Sequence, residues 1–189
     1  MKNLEKINFK ISAWASILSA ILIIPAAFLN IFVYANSDFS FMNSILNSIL
    51  TISSVLILLG FLRLAKENNK KFLKKFSYIS LTVLVLSFLT MFFKEFFSGN
   101  LLKLLGIASG ITELIFNMSV LSLKKIYGRI IVSIGILNII ATIFYLSVIL
   151  TFFGILISIP AYILQAIFFF RVSKKYESHL NNSFKKSKS

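Results

Sequence analysis

The sequence predicts an all-α integral membrane bundle of six transmembrane helices, with both termini on the cytoplasmic side. Three observations carry that expectation. Of 189 residues, 58% are hydrophobic and only 14% charged, too little polar material to cover a soluble domain of this size. The apolar residues come in long blocks, several of them near the ~20 residues that cross a bilayer as a helix. The basic residues fall in clusters between those blocks, 18 of the 20 on what an even number of crossings makes a single side.

The first block, residues 11–35, follows a short start carrying Lys2, Lys6 and Lys10. Val33-Tyr34-Ala35 before Asn36 resembles a signal-peptidase site, but the apolar run exceeds the ~15 residues of a secretory core, so it reads as a retained span. Residues 36–41 form a polar turn with Asp38, and the second span, 42–62, ends in a basic loop from Arg63 to Lys75. The third span, 76–93, stops at Lys94-Glu95 and Ser98-Gly99-Asn100, a turn with an interfacial ion pair or a snorkelling Lys. The fourth, 102–123, is closed by Lys124, Lys125 and Arg129.

Residues 130–170 are almost continuously apolar. As one helix they would reach roughly 60 Å, about twice the hydrocarbon thickness, so the chain has to fold back. Thr151-Phe152-Phe153-Gly154 is the expected break, with Gly154 free to take positive φ at a helix end. Spans five and six are then 130–150 and 155–170. One six-span domain, 1–176, is followed by a basic tail, 177–189, too poor in apolar residues to pack and expected to be disordered after two further helical turns. Phe61-Leu62-Arg63 after span two resembles Phe169-Phe170-Arg171 after span six, which fits three in–out–in hairpins; the need for basic residues at every inner exit explains most of that likeness.

Composition also narrows function. A net charge of +14 would indicate nucleic acid in a soluble protein, but here the cations flank spans, so the expected polyanion is the inner leaflet. There is no cysteine, and the single histidine, His179, lies in the tail, so no thiolate or imidazole metal site is expected. No span holds a nucleophile with a base, a metal triad or paired carboxylates, which argues against an enzyme, a catalytic residue or a cofactor. The Lys-, Ile-, Asn- and Phe-rich composition is associated with AT-rich prokaryotic genomes, and a prokaryotic plasma membrane is the expected location.

Within the spans, one residue stands apart. Glu113 is the single acid deep in an apolar segment, where an ionised carboxylate must be neutralised or paired. Gly106, Gly110, Glu113 and Asn117 follow at i, i+4, i+7 and i+11, a stripe on which a neighbouring helix can approach the glycines and meet a carboxyl and an amide. Other polar stripes are Asn43, Asn47, Thr51 and Ser54 in span two, and Gly135, Asn138, Thr142 and Tyr145 in span five. Span six carries Ser158, Tyr162 and Gln165 around Pro160, and span one carries the small-residue stripe Ser12, Ser16 and Ala20. These faces are expected to point at other helices, since an amide turned to lipid costs free energy. Trp14 suits an interfacial belt position.

Glu113, Asn117, Asn138 and Gln165 are therefore the candidate binding residues, and Gly106, Gly110, Ser12, Ser16 and Ala20 the candidate packing residues. Size, span count and the Ser12/Ser16/Ala20 stripe are similar to those of the substrate-binding subunits of vitamin transporters, an architectural likeness without a shared motif. Short loops and absent catalytic groups favour a membrane-embedded module that binds a small solute or a protein partner. The alternative is a transporter or ion-conducting protein, as a homo-oligomer, using Glu113 as a proton or cation site. A membrane enzyme is the residual third reading, and a purely structural Glu113, hydrogen-bonded to an amide to lock helices together, weighs evenly against a functional one.

Overall fold

The computed structural model describes residues 9–35, 37–92, 99–147 and 150–186; Lys2, Lys6, Asn36 and the Lys94-Glu95 pair lie outside them. The described chain is all-helical, and six of its helices are long and apolar enough to cross a membrane. They are α1 (Phe9–Ala35), α2 (Ser40–Glu67), α3 (Lys71–Phe92), α4 (Gly99–Val120), α6 (Arg129–Leu146) and α7 (Thr151–Lys186), with a single turn, α5 (Lys124–Tyr127), between α4 and α6.

Local chemistry explains the joints. A 3-10 turn, Ser37–Phe39, bends the chain from α1 into α2. α2 ends where Asn69 takes φ 52°; Lys70 N–H then reaches the Ala65 carbonyl at 2.8 Å and Asn69 N–H the Lys66 carbonyl at 3.3 Å, the paired bonds of a left-handed helix stop. Asparagine tolerates that conformation better than other residues with a Cβ. Between α5 and α6, Gly128 sits at φ 67°, ψ −145°, a conformation nearly reserved for glycine.

The long apolar stretch folds back earlier than expected. α6 stops at Leu146, Ser147 is extended, and Thr151 to Gly154 form the first turn of α7. Gly154 is thus not at a break. It lies inside a helix where a Cβ would stand 3.2 Å from the Ala141 carbonyl and 3.2 Å from the Tyr145 ring, so it lets α6 and α7 close together. α7 also runs further than the two turns expected beyond span six, as helix to Lys186. Extending an existing helix avoids the cost of nucleating one, so a polar segment can remain helical on an apolar stem.

The six long helices form a closed circuit, each packing chiefly on its two neighbours in the order α1, α2, α3, α4, α6, α7 and back to α1. The start of α1, the ends of α2 and α7 and the α5 turn meet at one end, where the basic loops also lie. There Arg63 stacks over Phe9 at 4.5 Å and pairs with Glu67 at 2.8 Å, Lys10 meets Glu177 at 2.7 Å, and the Asn68 amide reaches the Tyr127 hydroxyl at 3.3 Å. An aromatic core stands above them: Phe61 touches Phe169 at 5.0 Å, Phe116 at 5.7 Å and Phe168 at 6.3 Å between ring centroids.

Candidate functional site

A cavity of about 280 Å³ lies mid-bundle, on top of Phe61 and Phe116 and lined by α2, α3, α4, α6 and α7. Polar residues of those helices converge on it. α4 contributes a continuous stripe at i, i+3, i+4, i+7 and i+8: Ser109, Thr112, Glu113, Phe116 and Asn117. α6 contributes Asn138 and Tyr145, and α7 contributes Ser158, Tyr162 and Gln165. The polar stripes of spans five and six thus meet at one place.

Each of the four candidate binding residues lines this cavity. Asn117 is 2% exposed; its side-chain N–H donates to the Thr142 hydroxyl at 3.3 Å, which itself donates to the Asn138 carbonyl at 2.8 Å. Tyr145 and Ser158 share a hydrogen bond of 3.0 Å, and Ser158 donates to the Gly154 carbonyl at 2.9 Å. Gln165 is 3% exposed, and its Oε1 has no hydrogen-bond partner; the buried Ser80 hydroxyl, from α3, has none either.

Glu113 is the one formally charged side chain on the wall. It lines the hollow, but as a whole the residue is exposed, not buried. Among the described residues no hydrogen bond or ion pair engages its carboxylate, and Tyr145 and Tyr162 line the same hollow. A locking bond to Asn117, Asn138 or Gln165 would have left it satisfied. No such bond is present, and the Asn117 amide is spent on Thr142.

The packing stripes divide. Ser12 is fully buried and donates across to the Leu56 carbonyl of α2 at 2.8 Å, while Ser16 is buried but bonds within its own helix, to the Ser12 carbonyl at 2.9 Å. Ala20, one turn on, is half-buried. Gly110 faces α6, where an added Cβ would collide with the Leu146 side chain. Gly106 is different: it is exposed, with nothing within 4 Å of an added Cβ, so it packs against no helix. The stripe breaks because α6 ends at Leu146, the residue that Gly110 meets. In α2, Asn43 and Asn47 reach Asn30 of α1 at 2.9 and 3.4 Å, and of that face only Ser54 lines the cavity.

Sequence reasoning missed Ser80, Ser109, Thr112 and the aromatic floor. Centring the α4 stripe on its hydroxyls, not on its glycines, would have found Ser109 and Thr112; nothing in the α3 sequence singles out Ser80 from Ser77. The vitamin-transporter likeness receives no support from comparison with known proteins. No protein-family model, no curated protein and no solved structure matches this chain.

Proposed function

We propose that the protein is a non-enzymatic, multi-pass membrane module that binds a small solute in the mid-bundle cavity. One observation carries the reading: three helices from separate parts of the chain turn their polar residues into one hollow, and a carboxylate and an amide oxygen there lack partners. A buried acceptor without a partner, such as Gln165 Oε1, is costly, and an occupant that donates to it removes the cost. About 280 Å³ is many times the ~30 Å³ a water occupies in liquid, and it approaches the lower bound of ligand pockets, about 300 Å³.

In this reading the basic end, which gathers Arg63, Lys66, Lys124, Arg129 and Arg171, faces the cytoplasm and the anionic inner leaflet of a plasma membrane. The test is native mass spectrometry of the full chain extracted in mild detergent. A co-purifying small molecule that Ser109→Trp displaces supports the reading. A chain that stays empty, and whose thermal midpoint no solute moves, refutes it.

A transport role draws on a further observation. Beyond the cavity, away from the basic end, Ala26 and Gly154 are the only buried residues among those described, so that half has little packing to resist rearrangement. Solute flux in proteoliposomes that depends on Glu113 separates a carrier from a receptor.

A further inference from the structure

We propose that the solute is a small organic cation bearing an ammonium group, held by Glu113 with Gln165 as a second acceptor; this rests on the binding-module reading above. The argument starts with charge. The cavity wall carries one acid and no Lys, Arg or His, so an anion would meet a like charge and no countercharge. Glu113 in turn has no cationic partner among the described residues, and a carboxylate at such depth calls for one.

Hydrogen bonding points the same way. The strong acceptors on the wall without a partner are the Glu113 carboxylate and Gln165 Oε1; the Ser80 hydroxyl, also unpartnered, can accept as well as donate. An ammonium brings donors and a positive charge together, whereas an apolar solute would seal both acceptors away from water and leave them unmet. The remaining wall is aromatic. Phe61, Phe116, Tyr145 and Tyr162 border the same hollow, and aromatic faces attract organic cations.

A bare metal ion fits poorly. Hard cations take about six or more oxygen ligands at short range, and no group of three or more His, Cys, Asp or Glu occurs among the described residues. The hollow is also larger than a dehydrated ion needs.

The test uses the full chain in detergent and four probes: propylammonium, triethylammonium, tetraethylammonium and phenethylammonium. 2-Phenylethanol and 3-phenylpropionate serve as neutral and anionic counterparts, and sodium chloride matches ionic strength. Binding is read by isothermal titration and by the thermal midpoint. At least one ammonium probe is expected to bind, with the alcohol and the carboxylate far weaker. Glu113→Gln is expected to weaken that binding by about thirty-fold or more, the usual consequence of removing one member of a buried charge pair. Glu113→Asp keeps the charge and is expected to retain binding, which guards against a Gln variant that merely unfolds.

Three results overturn the proposal. If 2-phenylethanol binds as well as phenethylammonium and Ser109→Trp blocks both, the module reading stands and the cation class fails. If sodium or proton concentration alone shifts the midpoint with the same dependence on Glu113, the occupant is an inorganic cation. If no ammonium probe binds in a Glu113-dependent way, the assignment is wrong, and the separate mass-spectrometric result decides whether the module reading fails with it.

Discussion

The two halves of the bundle are built from the same kinds of residue and packed in opposite ways. Toward the basic end, Phe9, Phe61, Phe116, Phe168 and Phe169 form one buried aromatic body, with Ser12, Ser16 and Ser77 filling the close approaches between helices. Toward the other end, Phe28, Ile31 and Phe32 of α1, Phe41 and Met42 of α2, and Leu101 and Leu104 of α4 are exposed. In water such a surface would be a liability. Against acyl chains it would cost little, because lipid is as apolar as Leu. Where helices cross a membrane, apolar burial does not hold them together; close packing and polar contacts do. Here the close packing is at the basic end while polar contacts occur at both, Asn30 with Asn43 and Asn47 among them. The cavity sits where one regime gives way to the other.

Substitutions sharpen this contrast. The largest effect is expected at Phe61, which touches three other rings. Phe61→Ala should cost about 3–5 kcal/mol, while Phe32→Ala, at the loose end, should cost less than about 1 kcal/mol. Reversible denaturation in mixed micelles measures both, and equal losses would show that the halves are not differently packed.

Next come the glycines. An added Cβ at Gly60 would stand 2.5 Å from the Ser12 hydroxyl and 2.8 Å from the Phe169 ring, so Gly60→Ala should destabilise by about 1–3 kcal/mol. At Gly106 the space is open, and Gly106→Ala should be neutral or stabilising by up to about 1 kcal/mol through helix propensity. A loss at Gly106 as large as that at Gly60 would place a helix or a second protomer against that face.

Among the polar contacts, a small loss is expected for Asn117→Leu, which removes the bond to Thr142. Interhelical bonds of this kind average about 0.6 kcal/mol, so the unfolding free energy should fall by no more than about 1 kcal/mol. Solute binding, read by the same titration as above, is expected to fall more than stability does. The reverse order would make Asn117 a structural lock.

Much of the site was legible because lipid penalises exposed amides so heavily. Asn117, Asn138 and Gln165 had to face other helices, and the three reach one cavity. The glycines were less legible, since Gly106 and Gly110 look equivalent in sequence. Only Gly110 lies at a level that α6 reaches, and that depends on where α6 stops, at Leu146. Gly154 was misplaced for a similar reason. A glycine that ends a helix and one that admits a neighbouring ring look alike until the fold-back is located, and it occurs a few residues earlier. Ser80 was invisible because α3 scatters several hydroxyls, Ser77, Thr82 and Ser87 among them, and nothing in the sequence separates the one that reaches the cavity.

By itself, the order of apolar blocks and basic clusters determined six membrane-length helices and which of their ends belong together. The reason is that bilayer thickness and the cost of burying charge act on each segment alone. The closed circuit of helices, the place of the cavity and the unpartnered state of Glu113 and Gln165 were decided only in three dimensions. Those features depend on distances between segments far apart in the chain, which no local preference specifies.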